Sequence, residues 1–560
     1  MQKNKKNRKL KKWLLILLSP ILLLLALLLL FLIWVWLYPE PKGPDLEFPK
    51  KENYTQINDS LRKWKDNWYI KSASGHHILY VKGSPEEMGQ AQGILSQDLI
   101  KEQEIAFTEE IQRMIPSTSY LSFLKYIVKI INKDLEKNVL PIYQKEIKAI
   151  SEYADPQFNW IGSNYARLLN YHSAHDIGHA LQNLMLVGCT SFATWDEKSE
   201  NGHLLVGRNF DFYVGDAFAE NKIVLIAEPD SGYAYSSITW GGFIGVVSGI
   251  NEKGLSVTIN AAPSEIPKAA ATPVSLVARE VLQFATNIEE AYAIIEKRKM
   301  FVSESFLIAS AEDGFAVTIE KTPTETKLYR SNNSDYITCT NHYQTEELSI
   351  KNPATVLEDA SFYRSKKTNY LIQENAKISI YDIAEILRDF SGLNSEKLGL
   401  GNEKAINQFI AHHSIIFDNK ETSFWLSTYP WQMGKFMHYN LIELLSKSWM
   451  DFSDISFNKS IAASDKIEWE SFKNFILFKE KQNLWQHKKW PIKNIEEVVA
   501  FIKLNPDYFY TWELAGDMAL SINDLKSATN YYTIALEKNI ANNSEKERIE
   551  KKIKKIDKDK

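Results

Sequence analysis

The sequence predicts a layered α+β body between an N-terminal membrane-spanning helix and a C-terminal group of helices. Three observations lead to this prediction. Residues 13–37 carry no charge, residues 55–186 show mostly helical periodicity, and from residue 188 the pattern changes to short strands separated by polar turns. Sheet, two helices and sheet again, in that order along the chain, indicates a layered α+β domain.

The composition is that of an ordinary folded protein. Hydrophobic residues make up 44% and charged residues 24% of 560 residues, which is enough apolar surface for a large core. The net charge is −4, and every charge in the first 39 residues is basic, so the rest of the chain is more acidic than this value indicates. An acidic body argues against a nucleic-acid partner. No Walker or dinucleotide signature predicts a cofactor.

The uncharged run at residues 13–37 is long enough, at about 1.5 Å per residue, to cross a hydrocarbon layer of about 30 Å. A basic tail, residues 1–12, precedes it. The positive-inside rule therefore predicts a cytoplasmic N-terminus and a periplasmic or extracellular catalytic part. A cleavable signal peptide is the alternative, but no small-residue cleavage site follows the run. Proline-rich residues 38–54 then form a linker.

The exported elements follow in order. Residues 55–188 are predicted to be a mainly helical segment, with Ser84 as an N-cap before Pro85. Its further amphipathic runs are 98–115, 119–135 and 140–154. Strands are predicted near 190–195, 204–212, 223–228, 233–239, 246–250 and 255–260, helices near 273–285 and 287–298, and later strands near 305–310, 316–321, 327–329, 336–340, 414–417 and 422–427.

The C-terminal part is predicted to be separate from the catalytic part, residues 189–440. A connecting helical segment, 441–484, leads to helices in 485–560. Small and aromatic residues there have the spacing of a tetratricopeptide repeat, and such an end would bind a protein partner. The same spacing also occurs in ordinary helical hairpins. These residues are Trp512, Gly516, Ala528, Tyr532 and Ala535.

The predicted chemistry centres on one of only two cysteines, Cys189 and Cys339. A disulfide between them stays open, because the predicted topology places both in a compartment where disulfides form. Gly188 and Cys189 stand where the helical segment meets the first strand. The sequence 207–212, Gly-Arg-Asn-Phe-Asp-Phe, lies on the next strand, and a hairpin would bring the two segments together.

This arrangement resembles the N-terminal-nucleophile family of isopenicillin-N acyltransferases and, more distantly, choloylglycine hydrolases and acid amidases. The resemblance spans roughly residues 75–440. It implies a four-layer αββα sandwich, autoproteolysis between Gly188 and Cys189, and an amide substrate. Further matching stretches are 80–89, 340–343, 361–364 and 414–418.

The resemblance also implies roles for individual residues. Glycine at 188 removes the Cβ that would hinder attack on its carbonyl. The α-amine freed at Cys189 would titrate near ~7.7–8.0 and so act as the base for its own thiol. By similarity, Asp211 would orient that amine and Arg208 would favour the thiolate. An ordinary cross-strand ion pair between Arg208 and Asp211 is the alternative.

Three more residues are candidates for the site. Asn341 matches a family residue that donates to the tetrahedral oxyanion, and Asn260 is a second candidate for this role or a turn residue before Pro263. Arg364 matches an arginine near the nucleophile, but it also fits an arginine on a helix surface.

Two other functions compete with the self-processing amidohydrolase or acyltransferase. His172, His175, Asp176 and His179 include a spacing that binds zinc, although the catalytic Glu of the zinc-protease motif is absent and buried histidines explain the pattern as well. A metal-dependent hydrolase is therefore one alternative, and an inert scaffold that binds a protein partner is the other. The aromatic content of 12% and the anchor favour an amphipathic or lipid-like acyl amide as substrate, and hydrolysis and acyl transfer both stay open.

Overall fold

The computed structural model describes most of the chain after the predicted anchor. These residues are 53–115, 117–174, 176, 188–212, 214–264, 270–332, 334–446 and 459–559, with 37–47 and scattered positions between 19 and 35. No helix within them is long and apolar enough to span a membrane. Much of the predicted anchor, residues 13–37, lies outside the described residues.

The strands form two sheets. The large sheet has the order β1-β2-β3-β4-β7-β8-β9-β10-β11-β12-β13, and the small sheet has the order β14-β5-β6-β15-β16-β17. The pairing of β4 with β7 is parallel, whereas the other pairs are antiparallel. In chain order the strands are β1 (Thr55–Asn58), β2 (Leu61–Trp64), β3 (Asn67–Lys71), β4 (His77–Gly83), β5 (Thr190–Asp196), β6 (Gly202–Phe210), β7 (Ile223–Pro229), β8 (Tyr235–Thr239), β9 (Ser248–Asn251), β10 (Leu255–Ala261), β11 (Glu304–Ser310), β12 (Phe315–Lys321), β13 (Thr326–Tyr329), β14 (Tyr336–Cys339), β15 (His413–Asp418), β16 (Ser423–Ser427) and β17 (Phe436–Asn440).

Helices precede, separate and follow the strands. In chain order they are α1 (Pro85–Leu95), α2 (Gln97–Met114), α3 (Thr118–Ile131), α4 (Pro141–Ser151), α5 (Asn164–Tyr171), α6 (Asp216–Glu220), α7 (Val274–Phe284), α8 (Ile288–Lys297), α9 (Glu346–Ser349), α10 (Ala360–Glu374), α11 (Ile380–Leu387), α12 (Leu441–Ser446), α13 (Trp469–Gln486), α14 (Ile495–Ile502), α15 (Phe509–Ser521), α16 (Leu525–Glu537) and α17 (Asn543–Asp559).

The two sheets pack face to face, with helices on both outer faces. Strand side chains alternate between the faces of a sheet, so neighbours on β6 enter different layers. Val206 packs between the sheets, whereas Leu205 packs under α10 and α11. Helices α1, α7 and α8 cover the other face of the large sheet. The predicted αββα layering is therefore confirmed.

Most of the predicted elements are also confirmed, and α1 shows why. Ser84 accepts a hydrogen bond from the Glu87 N–H, and the Glu87 side chain accepts one from the Ser84 N–H, which makes a capping box before Pro85. The helical prediction for residues 55–83 is wrong, because they form β1 to β4. The Asn58 side chain makes the first turn by accepting the N–H groups of Ser60 and Leu61. Pairing of β4 with the distant β7 then completes the sheet.

The C-terminal helices share their own apolar cluster, which includes α13 to α17 and also Phe409 and Trp431 of the catalytic part. Helices α15 and α16 form a close hairpin. A Cβ at Gly516 would lie 2.3 Å from the Tyr532 ring, so only glycine allows this crossing. The helical hairpin is thus confirmed, and its assignment as a tetratricopeptide repeat stays a prediction.

Candidate active site

The peptide bond between Gly188 and Cys189 lies at the start of β5, opposite the end of β6. The two strands form the expected hairpin, with Ser191 opposite Arg208. The Gly188 N–H donates to the backbone carbonyl of Asp211 at 2.9 Å. The Gly188 carbonyl accepts from the side-chain Nε2 of Gln408 at 2.8 Å. The residue before the nucleophile is therefore held from both sides.

Arg208 reaches from the small sheet to the large one and passes the sulfur of Cys189. Its guanidinium donates to the Val247 carbonyl at 2.9 Å and also to the Ile259 carbonyl and the Ser248 hydroxyl. Its Nη2 lies 3.6 Å from the Cys189 Sγ. Burial raises the pKa of the Cys189 thiol to about 11, and the positive charge of Arg208 opposes this shift. Arg208 is thus placed to stabilise a thiolate.

Asp211 is fully buried beside the same peptide bond. Neither oxygen of its carboxylate has a hydrogen-bond partner among the described residues, and no ion pair with Arg208 is formed there. Burial raises the pKa of the Asp211 carboxyl to about 7, while Arg364 and Arg208 oppose the shift. Buried carboxylates normally have partners, so this one leaves room for a donor or a cation that the uncut chain lacks.

Asn341 and Arg364 meet close to this carboxylate. Arg364 lies on α10 but is only 2% exposed, so it is not an arginine on the helix surface. Its Nη2 donates to the Asn341 Oδ1 at 2.7 Å, and the Asn341 Nδ2 donates to the Ala261 carbonyl at 3.0 Å. The positive charge of Arg364 opposes the rise in the pKa values of both Asp211 and Cys189, which places it at the candidate site.

Asn260 lies in β10 and is not part of a turn. Its Oδ1 accepts from the Ser191 hydroxyl at 2.9 Å, and its Nδ2 donates to the Cys339 carbonyl at 2.9 Å. These bonds tie β10 to β5 and β14, so Asn260 connects the two sheets next to the nucleophile. Cys339 and Cys189 are both free thiols, and no disulfide joins them.

His172 has a structural role. Its Nδ1 contacts the Leu168 carbonyl at 2.8 Å, and its Nε2 accepts the Ile244 N–H at 3.0 Å, so neither nitrogen has a lone pair left for a metal. The Asp176 Oδ2 accepts the Val274 N–H at 3.1 Å. His175 and His179 lie outside the described residues. No group of metal-ligating side chains occurs in the part of the chain that is described.

Two residues at the site were missed by the sequence reasoning. Gln408 holds the Gly188 carbonyl, but nothing in its local sequence singles it out. Glu304 is fully buried, and neither of its carboxylate oxygens has a partner among the described residues. Burial and the nearby Asp176 hold the pKa of Glu304 well above its usual range. An acid at the start of the otherwise apolar strand β11 was the signal that pointed to it.

A mainly aromatic cleft begins directly beside the site. Phe212, which follows Asp211, forms part of its wall. The cleft encloses about 450 Å³ of empty volume, part of it open to solvent. One polar corner contains Glu104, which is paired with the buried Arg167. The other aromatic lining residues are Phe107, Tyr171, Phe218, Trp240 and Phe243.

The C-terminal helices reach the site through a single loop, residues 399–403. Arg364 Nη1 donates to the Glu403 carbonyl at 2.6 Å, and the Tyr508 hydroxyl donates to the Glu403 carboxylate at 3.0 Å. Asn505 exchanges two hydrogen bonds with the backbone of Leu400, at 3.2 and 2.8 Å. The position of Arg364 therefore depends on packing of the C-terminal helices.

Comparison with known proteins identifies a family for the centre of the chain. Residues 195–428 match the family described as acyl-coenzyme A:6-aminopenicillanic acid acyl-transferase. The matched region begins shortly after Cys189 and contains Arg208, Asp211, Asn341 and Arg364.

Curated relatives are more distant. An uncharacterized protein of Archaeoglobus fulgidus is 24% identical over 43% of this chain and 42% of its own length. Acid ceramidase of Heterocephalus glaber is 27% identical over 24% of this chain and 39% of its own length. The chain thus spans less than half the length of these relatives.

Among solved structures, the N-acylethanolamine-hydrolyzing acid amidase ortholog of Caenorhabditis elegans is 17% identical. It covers 41% of this chain and 93% of its own, with a TM-score of 0.31. Over residues 195–428 the chain is similar to the acyl-coenzyme A:6-aminopenicillanic acid acyl-transferase family of N-terminal-nucleophile enzymes.

Proposed function

We propose that the protein is a self-processing amide hydrolase or acyltransferase that uses Cys189 as an N-terminal nucleophile. The observation that carries this proposal is the unpartnered, buried carboxylate of Asp211 beside Cys189, on the same hairpin as Arg208. A free α-amine at Cys189 would supply the cation that this carboxylate lacks. The family match supports the same chemistry.

Self-processing would proceed through a thioester. The Cys189 sulfur attacks the Gly188 carbonyl carbon, the carbon–nitrogen bond breaks, and the proton from the thiol goes to the departing nitrogen. Water then attacks the thioester carbon, which restores the thiol and leaves a carboxylate at Gly188. Cys189 is now the N-terminus of its chain, and its new α-amine lies near Asp211.

Turnover would repeat these steps on an external amide. The α-amine takes the thiol proton and later gives it to the departing amine. Asp211 orients the amine, and Arg208, 3.6 Å from the sulfur, favours the thiolate. Asn341, held by Arg364 at 2.7 Å, is the candidate donor to the oxyanion of the substrate. Water as the acceptor gives hydrolysis, and an amine gives acyl transfer.

The substrate would be an amide with an apolar or amphipathic acyl group. The aromatic cleft beside Phe212 supports this choice, because pockets lined by aromatic side chains bind apolar groups. A fatty or aromatic acyl chain suits its walls, and the Glu104 corner suits a polar end. Acid ceramidase is among the relatives and is consistent with an acyl amide.

The protein would work at a membrane surface, held by the segment at residues 13–37 with the catalytic part outside the cytoplasm. Linker residues support this arrangement, because they dock on the helical segment. The Glu40 carboxylate accepts the Ser163 N–H at 2.8 Å, and the Gly43 N–H donates to Glu136 at 3.0 Å. Next to this contact, Trp160 is 51% exposed, as an aromatic residue at a lipid interface would be. The C-terminal helices are left for a protein partner.

The deciding experiment is the intact mass and N-terminal sequence of the purified protein, followed by amidase assays. A fragment that begins Cys-Thr-Ser-Phe, together with amide turnover, supports the proposal. Cys189→Ala should stay uncut and inactive, and Cys189→Ser should be cut slowly. Wild-type turnover by Cys189→Ala refutes the mechanism. An uncut, inactive wild-type chain with an intact cellular role favours the inert scaffold.

A further inference from the structure

We propose that Gln408 is the donor that activates the Gly188 carbonyl for self-processing. The inference rests on the proposed function and extends it, because it assigns the oxyanion donor for the cleavage of the chain itself. Gln408 is a loop residue between α11 and β15, far in sequence from the bond that it contacts.

The first observation is the hydrogen bond itself. Gln408 is 2% exposed, and its Nε2 lies 2.8 Å from the Gly188 oxygen. The neighbouring backbone fixes this side chain. The Asn407 N–H donates to the Asp389 carbonyl at 2.8 Å, and the Phe409 N–H donates to the Asn407 side chain at 3.0 Å. A buried amide in a held loop is a preorganised donor.

The second observation concerns the identity of residue 188. A Cβ built on Gly188 would lie 2.7 Å from both the Nε2 and the Oε1 of Gln408. The amide of Gln408 therefore lies directly over the glycine, and a side chain at 188 would displace it. The requirement for glycine before the nucleophile thus comes partly from contact with Gln408, in addition to easier attack on the carbonyl.

The third observation removes a competing donor. The Nδ2 of Asn341 donates to the Ala261 carbonyl, and Arg364 donates to its Oδ1. Among the described residues, Gln408 is the one whose side chain donates to the Gly188 oxygen. As the Cys189 sulfur bonds to the Gly188 carbon, the carbonyl electron pair moves onto this oxygen. The Gln408 N–H then stabilises the oxyanion until the carbon–nitrogen bond breaks and the nitrogen takes the proton.

The test measures the rate of cleavage of newly synthesised full-length chain by intact mass. Gln408→Met keeps the size of the side chain but removes the donor, and we expect cleavage to slow by about 10² to 10³-fold. Gln432→Met is the matched control, because Gln432 is also fully buried and its side chain has no hydrogen-bond partner among the described residues. This control should be cut at the wild-type rate.

Gln408→Glu separates donation from packing. At neutral pH the introduced carboxylate accepts but does not donate, so cleavage should be slow. Below the usual pKa of a glutamate, about 4.3, the protonated carboxyl donates its O–H. The rate of Gln408→Glu relative to Gln408→Met should therefore rise as the pH falls, which a purely structural role would not cause.

Each result decides between the two proposals. Wild-type chain that is cut, with Gln408→Met cut equally fast, overturns the role of Gln408 and leaves the proposed function standing. Equal slowing of Gln408→Met and Gln432→Met, without acid recovery in Gln408→Glu, also overturns it. A wild-type chain that is never cut between Gly188 and Cys189 overturns both proposals.

Discussion

Replacing Asp211 by Asn in an uncut Cys189→Ala chain should stabilise that chain at neutral and alkaline pH. The Asp211 carboxyl is fully buried, has no hydrogen-bond partner among the described residues, and has a pKa raised from 3.8 to about 7. The Cys189→Ala background prevents cleavage, so no new amine appears to pair with the carboxylate. An Asn side chain has a similar shape and cannot ionise.

The size of the effect follows from the two pKa values. The unfolded chain releases the Asp211 proton near 3.8 and the folded chain near 7. Between these values the folded state binds more protons, so its stability falls as the pH rises through this window. At about 1.4 kcal/mol per pH unit, the free energy of unfolding should fall by about 4 kcal/mol. Asp211→Asn should remove this part of the pH dependence.

The assay is urea unfolding of both chains at pH 4 and pH 8. The difference in unfolding free energy between the two pH values should be smaller, by about 4 kcal/mol, in the chain with Asp211→Asn. Asp313→Asn, a change at an exposed carboxylate, should leave the pH dependence as it was. The same loss of stability with and without Asp211 would refute the reasoning.

Three further predictions concern turnover by the processed enzyme. Asn341→Ala should lower kcat by about 10² to 10³-fold, as for other single oxyanion donors, and steady-state kinetics at an unchanged melting temperature would check this; an unchanged kcat contradicts the role. Tyr508→Phe should lower kcat more than KM by loosening the Glu403 loop that holds Arg364, whereas Tyr532→Phe, which breaks a 2.6 Å bond to Asp517 inside the C-terminal helices, should not; equal effects would show general destabilisation. Trp240→Ala should raise KM for long-chain or aromatic acyl amides by up to about tenfold and leave that for acetyl amides nearly unchanged, and an equal change in both would place the acyl group outside the cleft.

Local sequence was a good guide wherever a segment's own periodicity and turns decide its structure. The N-cap at Ser84, the amphipathic helices that follow it and the strands from residue 190 onward could all be predicted in this way. It failed at residues 55–83. Those short strands are stable because β4 pairs with β7, about 150 residues later in the chain, and such pairing leaves little trace in local periodicity.

The candidate site shows the same division. Motif order brought Cys189, Arg208, Asp211 and Asn341 to attention, and the structure places all four in one buried region. Arg364 was ambiguous, because a helix arginine becomes a site residue only if its helix faces the nucleophile. Gln408 carried no local signal at all, since its importance comes entirely from a contact across 220 residues.

The sequence by itself determined the order of helices and strands, the hairpin that presents Cys189 and the chemical types of the reacting groups, because these depend on short-range periodicity, turns and composition. Only the tertiary structure decided which charges are buried without partners, which amide holds the Gly188 carbonyl and which loop fixes Arg364. Burial, pKa and hydrogen-bond geometry depend on groups brought together from distant parts of the chain, and no local pattern encodes that meeting.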